Sequence, residues 1–206
     1  MIHKIKIFSD YIWPFCYIGK GIVEQLKKEF QLDVTWVPYE IHPETPLEGV
    51  LLSEKFQHVD RDAMFTGLNR SGKPYDIRFN KIERLYNSRT ALELSELARD
   101  KGVFDQVHND IFIAYFHEGK NIGDLEVLCD IAKRAGLKKG DVEAILKNET
   151  YKERLAVAMV EGKEKRVSAV PTFIFSDNQT LTGAQPLEMF KFILGGGTND
   201  SPLNTL

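Results

Sequence analysis

The chain has 206 residues, of which 43% are hydrophobic, and a formal net charge of -3 with a pI near 6.0. These values predict one globular domain, with or without a large insertion, and exclude the basic surface that attracts nucleic acids or anionic membranes. We expect a cytoplasmic protein, because the sequence shows neither a signal peptide nor an apolar run of about 18 residues that could span a membrane. Its two cysteines are too few for a disulfide framework and are typical of a reducing compartment.

The first 37 residues predict a strand, a helix and a second strand. Residues 4–8 alternate between polar and apolar, which favours a strand, and residues 33–37 are rich in β-branched and aromatic side chains. Between residue 19 and the second strand, apolar residues recur at helical spacing, which predicts a helix. Residues 9–19 therefore form the turn from the first strand into that helix, with Pro14 in the first helical turn. A right-handed crossover makes the two strands parallel.

Helices dominate the next hundred residues, and no convincing strand is found there. We expect a short helix within residues 51–80, a loop at residues 69–74, and then one long helix from about Ile82. Further helices follow, one of them with Asp124 as its N-cap.

The pattern returns to strand near the C-terminus. Residues 170–175 and 180–182 predict a hairpin, Pro186 opens a last helix, and the polar end of the chain predicts a flexible tail to Leu206. The sequence therefore predicts an α/β domain made of residues 1–50 and 166–206, with a helical insertion at residues 51–165.

Cys16 is the first candidate for chemistry. It falls in the first turn of a helix, where unpaired backbone N–H groups and the helix dipole stabilise a thiolate. Burial acts in the opposite direction, so a small buried hydrophobe is the competing interpretation. Cys129 lies on the apolar face of a helix and is expected to be core.

Two further segments indicate a binding groove. Pro171 opens a β-rich run, and an X-Pro bond at such a place is able to be cis, which would turn the backbone of Val170 outward to pair with an extended thiol peptide. The amides of Ala184 and Gln185 precede a helix and could hold a carboxylate, although the motif taken alone favours a plain helix start. Four residues of the first turn would line a substrate groove or join two domains: Tyr11, Trp13, Pro14 and Phe15. The histidines show no metal-ligand spacing, and they are expected to be surface or core residues: His42, His58, His108 and His117.

Five segments together resemble the FrnE-like branch of the DsbA-type thioredoxin-fold family. They are residues 9–19 (SDYIWPFCYIG), 87–92 (NSRTAL), 114–124 (AYFHEGKNIGD), 170–173 (VPTF) and 183–185 (GAQ). The resemblance implies a thioredoxin-like fold with a DsbA-like helical insertion, and a cis Pro171 facing the turn. The same superfamily includes 2-hydroxychromene-2-carboxylate isomerase and the kappa-class glutathione transferases, which bind glutathione at this turn. The resemblance implies no obligatory cofactor and makes glutathione the candidate ligand.

The active-site turn departs from both patterns. Thioredoxin-like redox proteins carry Cys-x-x-Cys here, but Trp13 replaces the first cysteine, so no disulfide forms within the motif. The glutathione enzymes have a serine at that position instead.

Three hypotheses follow, of which the family resemblance favours the first, with the second as the alternative. The first is a thiol-disulfide oxidoreductase that works through Cys16 alone on a protein or small-molecule thiol. The second is a glutathione-dependent isomerase or transferase, and the third is a non-catalytic binding module on the same scaffold. The sequence leaves open whether the chain forms a homodimer.

Overall fold

The computed structural model describes residues 1–197. A four-stranded mixed sheet forms its centre, in the order β2-β1-β5-β6. The strands are β1 (His3–Ser9), β2 (Leu32–Pro38), β5 (Thr172–Phe175) and β6 (Thr180–Thr182). Strand β1 pairs in parallel with β2 and antiparallel with β5, so the two ends of the chain meet at β1.

Helices α1 (Pro14–Leu26) and α9 (Leu187–Leu194) contact each other, each close in sequence to the strands of the sheet. Between β2 and β5 the chain forms a two-stranded ribbon and seven helices. The ribbon is β3 (Val50–Leu51) with β4 (Arg84–Leu85). The helices are α2 (Leu52–Lys55), α3 (Arg61–Gly72), α4 (Arg89–Asp100), α5 (Phe104–Phe116), α6 (Leu125–Arg134), α7 (Lys139–Lys147) and α8 (Lys152–Glu164), with a 3₁₀ turn at Lys73–Tyr75.

This architecture confirms the predicted α/β fold with a helical insertion. The boundaries at residues 50 and 166 stay a prediction, and the predicted tail beyond residue 197 lies outside the described residues. Asp124 is the N-cap of α6, as predicted, and its carboxylate accepts hydrogen bonds from the N–H groups of Glu126 and Val127.

Three local predictions were wrong. Helix α3 runs to Gly72, and the 3₁₀ turn at Lys73–Tyr75 follows it where a loop was expected at residues 69–74. Asn69 accepts from the Phe79 N–H and donates to the Phe79 carbonyl, which stabilises that end of the helix. The long helix expected from Ile82 begins only at Arg89. The residues before it form strand β4, whose partner β3 is more than thirty residues earlier, so local periodicity did not reveal the pairing.

Aromatic side chains join α1 to the insertion. The ring of Tyr17 stacks on Phe112 with centroids 5.0 Å apart, and on Phe116 at 5.9 Å. These rings are buried, so α1 and the turn before it are fixed against α5. Among residues 1–197, no helix has the length and apolar character needed to cross a membrane.

Candidate active site

The turn between β1 and α1 presents the N-terminus of a helix. Trp13 is the N-cap in an extended conformation, and its side chain makes no capping hydrogen bond. The N–H of Cys16 donates to the carbonyl of Trp13 at 2.9 Å, and Pro14 has no N–H. The N–H of Phe15 has no acceptor within residues 1–197. It is therefore a free donor at the positive end of the helix dipole.

The sulfur of Cys16 lies on the inner side of this turn. The residue is 0% exposed, and the Asp10 N–H donates to its Sγ at 3.5 Å. Burial raises the pKa of the thiol to about 12, which outweighs the smaller opposing effects of the Ser9 hydroxyl and the Asp10 N–H. Of the effects weighed from the sequence, burial is therefore the one that sets the direction of this pKa shift.

A buried carboxyl group lies next to this sulfur. Asp10 is 1% exposed and accepts hydrogen bonds from the N–H groups of Ile41, at 2.8 Å, and Ile12. Burial raises its pKa to about 6, although these hydrogen bonds act in the opposite direction. The inner side of the turn therefore favours neutral groups.

The outer side of the turn faces a cavity of about 500 Å³. Trp13, Pro14 and Phe15 form one wall, and residues of α3 form the opposite wall, including Met64, Gly67 and Leu68. Most of the remaining lining is apolar: Ile12, Leu52, Phe56, Val59, Ala63, Phe65, Ile82, Leu85 and Phe116. A cavity of this size and character suits a small apolar molecule.

Three polar residues also line this cavity: His42, Ser71 and Tyr115. The hydroxyl of Tyr115 donates to the carbonyl of Arg84 at 3.1 Å, and burial raises its pKa. His42 contacts a charged side chain instead of a backbone carbonyl: its Nδ1 lies 2.9 Å from a carboxylate oxygen of Glu44. Sequence reasoning placed His42 at the surface or in the core, and only the fold around the cavity reveals its position.

The loop before β5 lies against the first turns of α1. The Val170–Pro171 bond is cis, as the resemblance implies. A Cβ placed on Gly19 would lie 3.2 Å from the Cγ of Pro171, so this proline packs directly on α1. Within the described chain, neither the N–H nor the carbonyl of Val170 bonds to another backbone group. Both groups therefore lack a backbone partner, and the residue itself is 3% exposed.

Ala184 and Gln185 are the residues predicted to hold a carboxylate. Gly183 donates to the carbonyl of Pro171 at 2.7 Å, which brings the segment with Ala184 and Gln185 beside the cis bond. The side-chain amide of Gln185 donates to the Thr182 carbonyl at 2.8 Å. Whether the nearby amides hold a carboxylate stays a prediction.

Two residues lie in the core rather than on the cavity wall. Tyr11 is 3% exposed, its hydroxyl lies 2.8 Å from Nδ1 of His108, and its ring packs on Phe112. Cys129 is buried on α6, as predicted. The structure therefore brings together Trp13, Pro14, Phe15 and His42 at one cavity, and leaves Tyr11 behind the turn.

Known proteins share this architecture. The chain is 28% identical to the uncharacterized protein YwbO of Bacillus subtilis over 193 residues, which cover 93% of this chain and 95% of that one. A probable DsbA oxidoreductase from Streptomyces coelicolor superimposes with a TM-score of 0.85 at 22% identity, covering 99% of this chain and 94% of the other.

Two further solved structures combine the same fold with different activities. 2-Hydroxychromene-2-carboxylate isomerase has a TM-score of 0.79 at 20% identity and 95% coverage of both chains. The cytosolic disulfide reductase DsbM from Pseudomonas aeruginosa, solved with glutathione, has a TM-score of 0.70 at 16% identity, covering 94% of this chain and 98% of the other. At these identities the likeness establishes the fold alone.

The family model for the DSBA-like thioredoxin domain matches residues 4–195, nearly the whole chain. The chain therefore belongs to the DSBA-like thioredoxin-domain family, a family of thiol oxidoreductases that act on thiols and disulfides.

Proposed function

We propose that this protein is a glutathione-dependent isomerase or transferase, which binds glutathione at the N-terminus of α1 and an apolar co-substrate in the adjoining cavity. The observation that carries the proposal is the cavity of about 500 Å³, which opens against Trp13, Pro14 and Phe15. A cavity of this size with a mostly apolar lining suits a small apolar co-substrate.

Backbone groups supply the glutathione site in this proposal. The unpaired N–H of Phe15 would donate to the glutathione thiolate, with the helix dipole favouring the same charge. The free N–H and carbonyl of Val170 would pair with the tripeptide backbone beside Pro171, and the amides near Ala184 and Gln185 would hold a carboxylate. DsbM, which shares the fold, was solved with glutathione, and this supports the choice of ligand.

The geometry argues against a reaction through Cys16 alone. A thiolate is the reactive form of cysteine, and burial raises the pKa of this thiol far above neutral pH. Trp13 occupies the sequence position of the first, attacking cysteine of the Cys-x-x-Cys motif. In this proposal Cys16 fills the core under the turn.

Titration calorimetry with reduced glutathione tests the ligand. We expect saturable binding to the unchanged protein and weaker binding of S-methylglutathione, which cannot form a thiolate. The difference between the two ligands isolates the contribution of the charged sulfur. The absence of heat with both ligands would contradict the proposal.

The variant Cys16→Ala then separates this function from the single-cysteine oxidoreductase. We expect it to keep both glutathione binding and the conjugation of 1-chloro-2,4-dinitrobenzene, an apolar aromatic electrophile, because no step uses the Cys16 sulfur. Cys129→Ala is the matched control for loss of a buried thiol. If C16A loses conjugation while C129A keeps it, the reaction runs through Cys16 and the first hypothesis is favoured.

A further inference from the structure

The imidazole of His42 lines the cavity. It follows β2 in the irregular segment that leads to the insertion, and its side chain is 26% exposed. Within residues 1–197, the only other titratable side chain on that wall is the phenol of Tyr115. His42 is therefore the cavity residue of the type that most often acts as an acid or a base in enzymes.

The contacts of Nδ1 bear on which ring nitrogen of His42 carries the proton. Nδ1 of His42 lies 2.9 Å from Oε1 of Glu44. A carboxylate only accepts hydrogen bonds, so this contact is a hydrogen bond only when Nδ1 carries the proton. Nε2 then carries a lone pair, and it has no hydrogen-bond partner in the described chain. A base held by a second, orienting group is the arrangement found in acid–base catalysis.

Lys55 completes the cluster. Its ammonium lies 3.0 Å from the same Glu44 oxygen and 3.2 Å from Nδ1 of His42. The Glu44 backbone N–H and Lys55 together lower the pKa of Glu44 to about 2, so this carboxylate stays charged at neutral pH. An ammonium only donates, so Lys55 by itself would favour a lone pair on Nδ1, but the Glu44 oxygen is its closer acceptor. We therefore place the proton on Nδ1, the arrangement in which both His42 and Lys55 donate to Glu44.

We propose that His42 is the general base of this site, with Glu44 as its positioning residue, and this inference rests on the proposed function. Nε2 accepts the thiol proton of glutathione: the S–H bond breaks, an N–H bond forms, and the thiolate keeps the electron pair. That pair attacks the electrophilic carbon of an apolar aromatic or conjugated co-substrate. With an aryl halide, the halide leaves with its bonding pair and the proton passes from Nε2 to water, so atoms and electrons balance without an oxidant.

His42→Gln tests the role by comparing binding with turnover. We expect glutathione affinity to stay within about twofold, while kcat/KM for 1-chloro-2,4-dinitrobenzene at pH 7 falls by about 10²-fold, the usual contribution of a general base. The fall of the wild-type rate at acid pH should disappear in H42Q, because that limb reports protonation of the imidazole. Glu44→Gln should keep the limb but move it in pH. The control is His58→Gln, which alters an exposed histidine outside the cavity and should match the wild type.

The tautomer gives a readout independent of activity. Long-range proton–nitrogen correlation spectra of the unchanged protein should show His42 protonated on Nδ1. A proton on Nε2 would overturn the inference. So would normal turnover and an unchanged pH profile in H42Q. If the unchanged protein fails to bind glutathione, the proposed function fails first and takes this inference with it.

Discussion

The turn at residues 13–16 has two sides with opposite properties. The inner side holds the Cys16 sulfur and the Asp10 carboxyl, both sealed from solvent and both with a raised pKa. The outer side opens on the mostly apolar cavity that Phe15 and His42 line. Within a few residues, the same turn thus has one side where burial disfavours charge and one side that adjoins a cavity. The comparison teaches that the position of a reactive residue type in the sequence does not decide its environment.

The largest expected effect is a difference in thiol reactivity between the two sides. Because its pKa is about 12 against an ordinary 9.0, Cys16 should carry about 10³-fold less thiolate at neutral pH than an exposed cysteine. Trp13→Cys places a thiol on the outer side, where it should react with iodoacetamide at least as fast as a free thiol. Peptide mapping by mass spectrometry measures each cysteine separately.

Unfolding in urea should abolish the protection of Cys16, which serves as the control for intrinsic reactivity. Fast labelling of Cys16 in the native protein would show that the inner side opens. If W13C also gains disulfide reductase activity that the natural protein lacks, the scaffold supports dithiol chemistry and Trp13 removed it.

The second expected effect is a pH dependence that comes from the inner side. The pKa of Asp10 is about 6 in the folded protein and near 3.8 when unfolded, so between these values the folded state binds more protons. The stability contributed by protonated Asp10 is therefore complete below about pH 4 and falls, by on the order of 3 kcal/mol, as the pH rises through 6.

Asp10→Asn should remove this loss, because an amide does not ionise. Urea unfolding at pH 4 and pH 7 gives the difference directly, and Asp33→Asn, at an exposed carboxyl, is the control. Equal pH dependence in D10N and the wild type would contradict the burial of a titrating Asp10.

The third effect belongs to the outer side. Gly67 lines the cavity, and a Cβ placed there meets no atom within 4 Å, so Gly67→Phe should fill the cavity without a clash. We expect binding of an apolar fluorescent dye to weaken at least about tenfold, or about 1.4 kcal/mol. Gly140→Phe is the matched control, since Gly140 also has open space but lies on α7, away from the cavity. Equal weakening in both variants would mean that the dye binds elsewhere.

The smallest effect is on helix stability. Gly67→Ala should stabilise the protein by about 0.5–1 kcal/mol, because glycine is a poor helix former and the site is open. Gly21→Ala should destabilise it instead, since the new Cβ would lie 2.6 Å from the Cβ of Tyr75. Thermal unfolding measures both, and a gain from G21A would contradict the close packing of α1.

The sequence by itself determined the mixed α/β plan, the turn at residues 9–19, the Asp124 cap and the meeting of Pro171 with that turn. These features depend on local periodicity, on proline and capping chemistry, and on a family resemblance that runs along the chain. The strand pairing of Leu85 was missed, because its partner lies more than thirty residues away.

Only the tertiary structure decided how deeply Cys16 is buried and that His42 lines the cavity. The pKa of Cys16 depends on how much protein covers it, and that cover comes from segments distant in sequence. The cavity likewise exists only because α3 and β4 fold against the turn, so no stretch of sequence contains it. Local patterns fix which elements form, whereas desolvation and enclosure arise only when the elements pack together.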